Sequence, residues 1–381
     1  MIYFDHSATT KILPEVLETY VKTSQQIIGN PSSLHDLGNQ ASLLLEKART
    51  QIAKIMEVAA SEIYFTSGGT EGNNWILKGT AFEKRKFGQR IITSAIEHPA
   101  VYETAKQLAK IGFKVDFAPV DQRGFVKIDE FKHLLNNNVI LVSIMSVNNE
   151  IGSIQPIEEI AKILEHYPTI HFHVDAVQAI GKIAKAAYLP ERGDFATFSA
   201  HKIHGPRGVG FIYLKKGKRL SPLLAGGAQE NNQRSGTENV PGIVAMAKAL
   251  RLSMENQQQK IHHILSLRNA LSKFLKSYKK VNLFTDITND FAPHILTFGL
   301  KGVRGEVMVH AFAEKKIYLS TTSACSSRKK MPASTLKAMN VPNKIAKTAV
   351  RISLDESNNA VETEQFMKIF AQLYEKFENV F

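Results

Sequence analysis

Seven short apolar segments recur between residues 62 and 215, and helical stretches separate them. They read EIYFTS, QRIITSA, FKVDFAPV, VILVSIMSV, IHFHVDA, DFATFSA and VGFIYLK, with NNWILKGTAFEKRK and PAVYETAKQLAKIG among the stretches between. Runs this short and this rich in β-branched and aromatic residues are strands, and their alternation with helices is the pattern of βαβ units. Near-continuous apolar character further implies burial on both faces, as in a parallel sheet. The expected fold class is therefore α/β, with a large domain built on a mainly parallel seven-stranded sheet. From residue 240 the pattern changes to one long amphipathic stretch, VPGIVAMAKALRLSMENQQQKIHHILSLRNALSKFLKSY, and then to strands HILTFGL and KKIYLS with helices. A chain of 381 residues exceeds what one compact core serves. The expected division is a segment 1–14 packing with the small domain, a large domain 15–255, and a smaller α+β domain 256–381.

Composition narrows the class further. With one cysteine the chain forms no internal disulfide and no multi-cysteine metal site, which suits a reducing cytoplasm. The opening MIYFDHSATTKILPEV lacks the layout of a signal peptide, and no apolar run approaches the roughly 20 residues that span a bilayer. The net charge is +13, yet the basic clusters at 215–219, 276–280 and 328–330 are short, scattered and not interleaved with aromatic residues. They read either as a solvated basic surface or as a site for transient docking of a nucleic acid or an acidic protein.

In parallel α/β sheets ligands bind beyond the carboxyl ends of the strands, and here the unusual polar residues fall at those ends. GGTEGNNW after EIYFTS offers glycines and a helix start, which taken alone read as a plain turn or as the ingredients of a phosphate cradle. It lacks the ending of a nucleotide-binding P-loop. His98 stands before Pro99 after QRIITSA, and Asn148 and Asn149 follow VILVSIMSV. Asp175 ends IHFHVDA with Gln178 three residues on; it is either a helix cap or a carboxylate with a buried partner. Ser199, His201 and Lys202 follow DFATFSA. A lysine at such a junction either extends to solvent or, desolvated, becomes a Schiff-base nucleophile. Phosphate anchor, strand-end Asp and buried Lys in this order describe a pyridoxal-phosphate site. The lone Cys325 lies in STTSACSSRKK; it reads either as a buried structural thiol near the end of KKIYLS or as a reactive thiolate favoured by Arg328, Lys329 and Lys330.

Together, YFDHSATT, GNPSSLH, TSGGTEGNN, AIEHPAV, VNNEIGSIQP, HVDAVQAIGK, FSAHKIHGPRGVG, RSGTENVPG, TSACSS and AVRISL span nearly the whole chain. In these elements it closely resembles the cysteine desulfurases of the class V aminotransferase superfamily, fold type I pyridoxal-phosphate enzymes. The resemblance implies that Lys202 carries pyridoxal 5'-phosphate, that Asp175 pairs with its pyridine nitrogen, and that His98 stacks on the ring and assists proton transfer. Gln178 and Asn149 are implied to bond the ring hydroxyl and the substrate side. The phosphate is implied to sit on Gly69, Thr70, Ser199 and His201, with Thr237 arriving from the other subunit of a homodimer. Arg351 and Asn30 are implied to bind the substrate carboxylate. Cys325 is implied to take the sulfur of L-cysteine as a persulfide, leaving L-alanine. No metal is implied.

Three departures from the family pattern stand out. Ala200 replaces a usual glycine, and Asp355 stands where a small residue is common; both are expected to matter little. The segment SSRKKMPASTLKAM keeps the length of the long-loop, sulfur-carrier branch but is strongly basic. That charge leaves the sulfur acceptor open between a tRNA sulfurtransferase and an iron–sulfur scaffold. Other readings of the chain are a selenocysteine lyase, a class V aminotransferase without need of Cys325, and a catalytically silent scaffold.

Overall fold

Val139–Met145 (VILVSIM) is buried at every position, which requires cover on both faces of the sheet containing it. The computed structural model describes residues 1–322 and 335–378. After a short β1 (Ile2–Tyr3), the strands are β2 (Ile63–Thr66), β3 (Arg90–Ser94), β4 (Lys114–Ala118), β5 (Val139–Met145), β6 (His171–Asp175), β7 (Phe195–Ser199) and β8 (Gly210–Leu214). Among the described residues β2 to β8 form one seven-stranded sheet in the order β2-β8-β7-β6-β5-β3-β4. Neighbours from β7 through β4 are parallel, while β8 runs antiparallel to both β7 and β2. All seven sequence-expected strands are present in this mainly parallel sheet.

Helices cover both faces: after α1 (Pro14–Gln26) and α2 (Asp36–Met56), α3 (Gly69–Lys84) and α4 (Pro99–Lys110) follow β2 and β3 directly. The main core joins sheet residues such as Phe172, Val174 and Phe198 to Leu45, Ile52, Ile160 and Met246 from the helices. A polar side chain inside the sheet is tolerated where its bonds are made. His173 is fully buried, with Nδ1 2.8 Å from Ser143 Oγ and Nε2 2.9 Å from Thr197 Oγ1.

The long amphipathic stretch differs from its expected continuity. It forms two helices, Val240–Met254 and Gln257–Lys276, broken where Asn256 adopts φ +53°. Asparagine tolerates that left-handed conformation better than most residues. Beyond it, β9 (Val281–Leu283), β10 (Ile295–Leu300), β12 (Ser320–Thr321) and β13 (Ala349–Ser353) form an antiparallel sheet of order β12-β13-β10-β9. β1 pairs in parallel with β11 (Ile317–Tyr318). Phe4 joins Phe298, Phe312, Phe366 and Phe370 in a second core. No described helix is long and apolar enough to cross a membrane.

Phe172 is fully buried at the centre of the main core. Phe172→Ala is expected to destabilise the protein by about 3–5 kcal/mol, read as a lower urea midpoint at unchanged m-value.

Candidate active site

The sheet faces are apolar, so polar groups emerge at the carboxyl ends of β2, β3, β5, β6 and β7, and there they converge. The exit of β2 is the chain Ser67-Gly68-Gly69-Thr70, which opens α3. Gly68 caps the helix at φ +142°, a conformation that a side chain would strain. At Gly69 an added Cβ would lie 2.8 Å from Val177 Cγ2, so the backbone can press against the β6 exit only because this residue has none. The first amides of an α-helix lack intrahelical acceptors and attract anions. They border a cavity of about 360 Å³ that is also lined by Ser199, His201 and Arg207, with Ala8 and Thr9 at its edge. Gly69, Thr70, Ser199 and His201 are thus brought together around one cavity. Burial, with Lys202 and Arg207 adding to it, pushes the His201 pKa down to about 4, so the ring is neutral at pH 7.

Lys202 follows β7 in a short 3-10 turn, Ala200–Lys202. It does not extend to open solvent. Its ammonium donates to the carbonyl oxygens of Ser7 and of Ala8, the latter at 2.9 Å. Gln178 Nε2 donates to the same Ser7 carbonyl at 3.0 Å. The strap of residues 4–10 continues across the turn, where Thr10 Oγ1 donates to the His201 carbonyl and accepts from the His204 N–H.

Asp175 at the end of β6 is 5% exposed and has the buried partner that its position suggested, but it caps no helix, because a turn follows β6. Oδ1 accepts from the Val177 N–H within that turn at 3.1 Å, and Oδ2 accepts from Asn73 Nδ2 of α3 at 2.7 Å. His98 is the N-cap of α4, its Nδ1 accepting from the Ala100 N–H at 3.1 Å. That bond leaves the proton of a neutral ring on Nε2. Burial lowers the His98 pKa, Asp175 opposing this and Lys202 adding to it. Gln178 Oε1, Asn73 Oδ1 and Ser7 Oγ are buried without hydrogen-bond partners among the described residues. Orphaned polar atoms beside a strand-end carboxylate are what a bound polar ring would satisfy.

Other expected site residues lie differently. Asn148 is internal, with Oδ1 accepting from the Glu150 and Ile151 amides and Nδ2 donating to the Ile96 carbonyl. Asn149 is half-buried, and its carbonyl accepts from Arg351 Nη1 at 2.7 Å. Arg351 is 5% exposed and also bonds Asp5 through Nη2 at 2.9 Å, while its Nε is buried without a partner among the described residues. Asn30 is exposed, with Oδ1 accepting from the Ser32 N–H, and Thr237 is exposed. Neither lines the cavity of its own chain. Cys325, Arg328, Lys329 and Lys330 lie outside the described residues. Asp355, expected to matter little, is instead 2% exposed, with Oδ2 2.6 Å from His6 Nδ1.

Three parts of the site were missed from sequence. Arg207 adds a cation to the cradle, the strap supplies Ser7 and Ala8, and Glu71 lines the cavity while held by Arg234. Arg234 Nε and Nη2 reach Glu71 Oε1 and Oε2 at 2.8 and 3.1 Å, and Glu71 Oε2 accepts from the Ser67 N–H. This pair anchors the loop bearing Thr237 to the cradle. Burial raises the Glu71 pKa, but the bonds from Arg234 and Ser67 outweigh it and the net shift is downward. A depressed carboxyl pKa stabilises the fold above the unfolded value of about 4.3 and loses that contribution as pH falls through the folded value. Arg234→Met is therefore expected to cost about 1–3 kcal/mol at pH 7, and thermal melts should show the deficit narrowing toward pH 4.

Comparison with known proteins places this geometry. The family model described as "Aminotransferase class-V" matches residues 2–366. The chain is 50% identical to the "NifS/IcsS protein homolog" of Lactobacillus delbrueckii subsp. bulgaricus, covering 100% of this chain and 99% of the relative. It is 38% identical to "Cysteine desulfurase IscS" of Dictyoglomus turgidum, over 100% of this chain and 96% of that one. A solved structure titled "NIFS-LIKE PROTEIN" superposes with TM-score 0.91 at 41% identity, over 98% of this chain and 99% of that one. With a convergent lysine, aspartate and histidine at the carboxyl edge and full-length likeness on this scale, the chain belongs to the class V aminotransferase family, among its NifS/IscS-like cysteine desulfurases.

Proposed function

We propose that this protein converts L-cysteine to L-alanine and carries the released sulfur as a persulfide on Cys325. One observation carries the reading: Lys202, Asp175 and His98 share one edge of the sheet with an anion cradle, and polar atoms buried there lack partners among the described residues. The family is one of pyridoxal-phosphate enzymes, and the donor set fits that group. Gly69, Thr70, Ser199 and His201 would hold its phosphate, joined by Thr237 of the neighbouring subunit in a homodimer. Asp175, His98, Gln178 and Asn149 would hold its ring, and Lys202 would bind it covalently. Bound there, it supplies a sink for negative charge developing at the substrate Cα.

The chain's own residues account for the remaining steps. The Lys202 amine takes the Cα proton, and His98, neutral with its proton on Nε2, is the second proton carrier. A positioned acid or base is worth ~10²–10⁴-fold in such a step. Arg351 and Asn30 bind the substrate carboxylate, and the Arg351 Nε has no partner among the described residues. The Cys325 thiolate attacks the substrate sulfur. A sulfur–sulfur bond forms, the carbon–sulfur bond breaks with its electron pair left on carbon, and protonation of that carbon completes alanine. No outside oxidant is needed. With a single cysteine, the persulfide has no second thiol in the chain to resolve it. It passes to an acceptor protein in the cytoplasm, either a tRNA sulfurtransferase or an iron–sulfur scaffold. The basic run 328–330 is proposed to take part in that choice.

Incubation with L-cysteine, pyridoxal phosphate and a thiol is expected to yield alanine and sulfide in equal amounts. Colourless protein that gains no visible absorbance with pyridoxal phosphate would sink the reading. Cys325→Ser is expected to abolish sulfide release while cofactor absorbance survives, which a transaminase would not show. Neutralising Arg328, Lys329 and Lys330 together is expected to slow sulfur transfer to an acceptor more than alanine release; equal losses would argue against a docking role.

A further inference from the structure

Behind the Lys202 turn lies a charged cluster that the proposed reaction does not use. Asp355 Oδ2 is 2.6 Å from His6 Nδ1 and 3.5 Å from His204 Nε2. Its Oδ1 accepts from the Ser357 N–H at 2.8 Å and the Ser357 hydroxyl at 2.6 Å. Glu356 Oε2 also lies 3.5 Å from His204 Nε2, and Glu356 Oε1 is 3.4 Å from Lys260. Lys182 acts electrostatically on the same two carboxylates. Burial alone would raise the Asp355 pKa, but His6 and His204 hold it well below the usual carboxylate range. Burial likewise opposes protonation of His204, yet Glu356 and Asp355 raise its pKa. Asp355 thus faces His6 and His204 as a carboxylate.

His6 belongs to the strap that supports Lys202. On one side the strap runs along β13 and its continuation. The Ser353 N–H donates to the Phe4 carbonyl, the His6 N–H to the Ser353 carbonyl, and the Ser7 N–H to Ser353 Oγ. On the other side its Ser7 and Ala8 carbonyls receive the Lys202 ammonium, and Thr10 binds the backbone of His201 and His204. His204 itself adopts φ +63°, a left-handed conformation that its neighbours must hold in place. Asp355 touches both His6 within the strap and His204 just beyond the lysine.

We propose that Asp355 is a positioning residue for Lys202: through His6 and His204 it sets the register of residues 6–10, and so places the carbonyls of Ser7 and Ala8 that hold the lysine nitrogen. The inference rests on the desulfurase reading, in which that nitrogen moves the Cα proton. Among the described residues the nitrogen bonds the two carbonyls, Lys202 acts electrostatically on His98 and His201, and Asp175 acts on His98.

The test uses the full chain loaded with pyridoxal phosphate, comparing wild type with Asp355→Asn, Asp355→Glu and His6→Gln. The pH midpoint of the visible band reports protonation of the Lys202-linked nitrogen. Loss of well-placed carbonyl acceptors and of a nearby anion both disfavour the protonated form. The midpoint is therefore expected to fall by at least about half a pH unit in Asp355→Asn and in His6→Gln, and to recover in Asp355→Glu. Misplacement of the amine is expected to lower kcat on the order of tenfold with KM for L-cysteine little changed. Amide exchange in residues 4–10 should quicken while exchange in the seven-stranded sheet does not. An unshifted midpoint and unchanged kcat in loaded Asp355→Asn with wild-type melting would overturn the proposal, and His6→Gln decides the same way if Asp355→Asn fails to fold. Wild-type protein that acquires no visible band overturns the desulfurase reading and this inference with it, whereas an unshifted midpoint overturns this inference alone.

Discussion

Burial of both faces of the central sheet is the constraint from which the rest of the molecule follows. Through β5 every side chain is enclosed, and an uncompensated polar atom there would cost roughly 1–3 kcal/mol on protein mutational scales. Chemistry-bearing residues are thereby confined to the strand ends. Parallel strands put five carboxyl ends at one edge, so Gly69, His98, Asn149, Asp175 and Lys202 emerge near one another although they are spread over more than a hundred residues. Polar residues inside the sheet bond one another: His173 is tolerated because Ser143 and Thr197 engage both ring nitrogens.

Closure of that edge comes from the two ends of the chain. The strap at residues 4–10 lies between β13 and the lysine turn, bonded to both, so the second core and the carboxyl edge share one backbone segment. Arg351 shows the consequence. Its terminal nitrogens are already engaged by Asp5 of the strap and by the Asn149 carbonyl at the β5 exit. The guanidinium thus ties the strap to the β5 exit, and its Nε is buried without a partner among the described residues. Lys202 likewise has its resting partners in backbone carbonyls, which cannot be read from side-chain identities.

Local features of the site were legible because each depends on neighbours in sequence. The seven strands follow from short apolar runs, the cradle from two glycines before a helix, and the His98 cap from a histidine preceding Pro99. Asp175 was ambiguous between helix cap and buried partner; no helix follows it, and its Oδ2 finds the buried partner in Asn73. The helical stretch from 240 looked continuous because amphipathic periodicity does not report a single left-handed residue such as Asn256. What stayed hidden was long-range. Lys202 and Ser7 are separated by 195 residues, and Arg351 and Asp5 by 346. Asp355 looked like a neutral exchange for a small residue, and only folding encloses it beside two histidines.

By itself the sequence determined the sheet, the order of its strands along the chain and the residue types at each strand exit, because periodicity and turn chemistry act over a few residues. Only the tertiary structure decided which exits share a cavity, which groups hold the Lys202 nitrogen, and that Glu71 meets Arg234 while Asp355 meets His6. Those pairings arise when distant segments bury one another, and the charges enclosed must then find partners nearby.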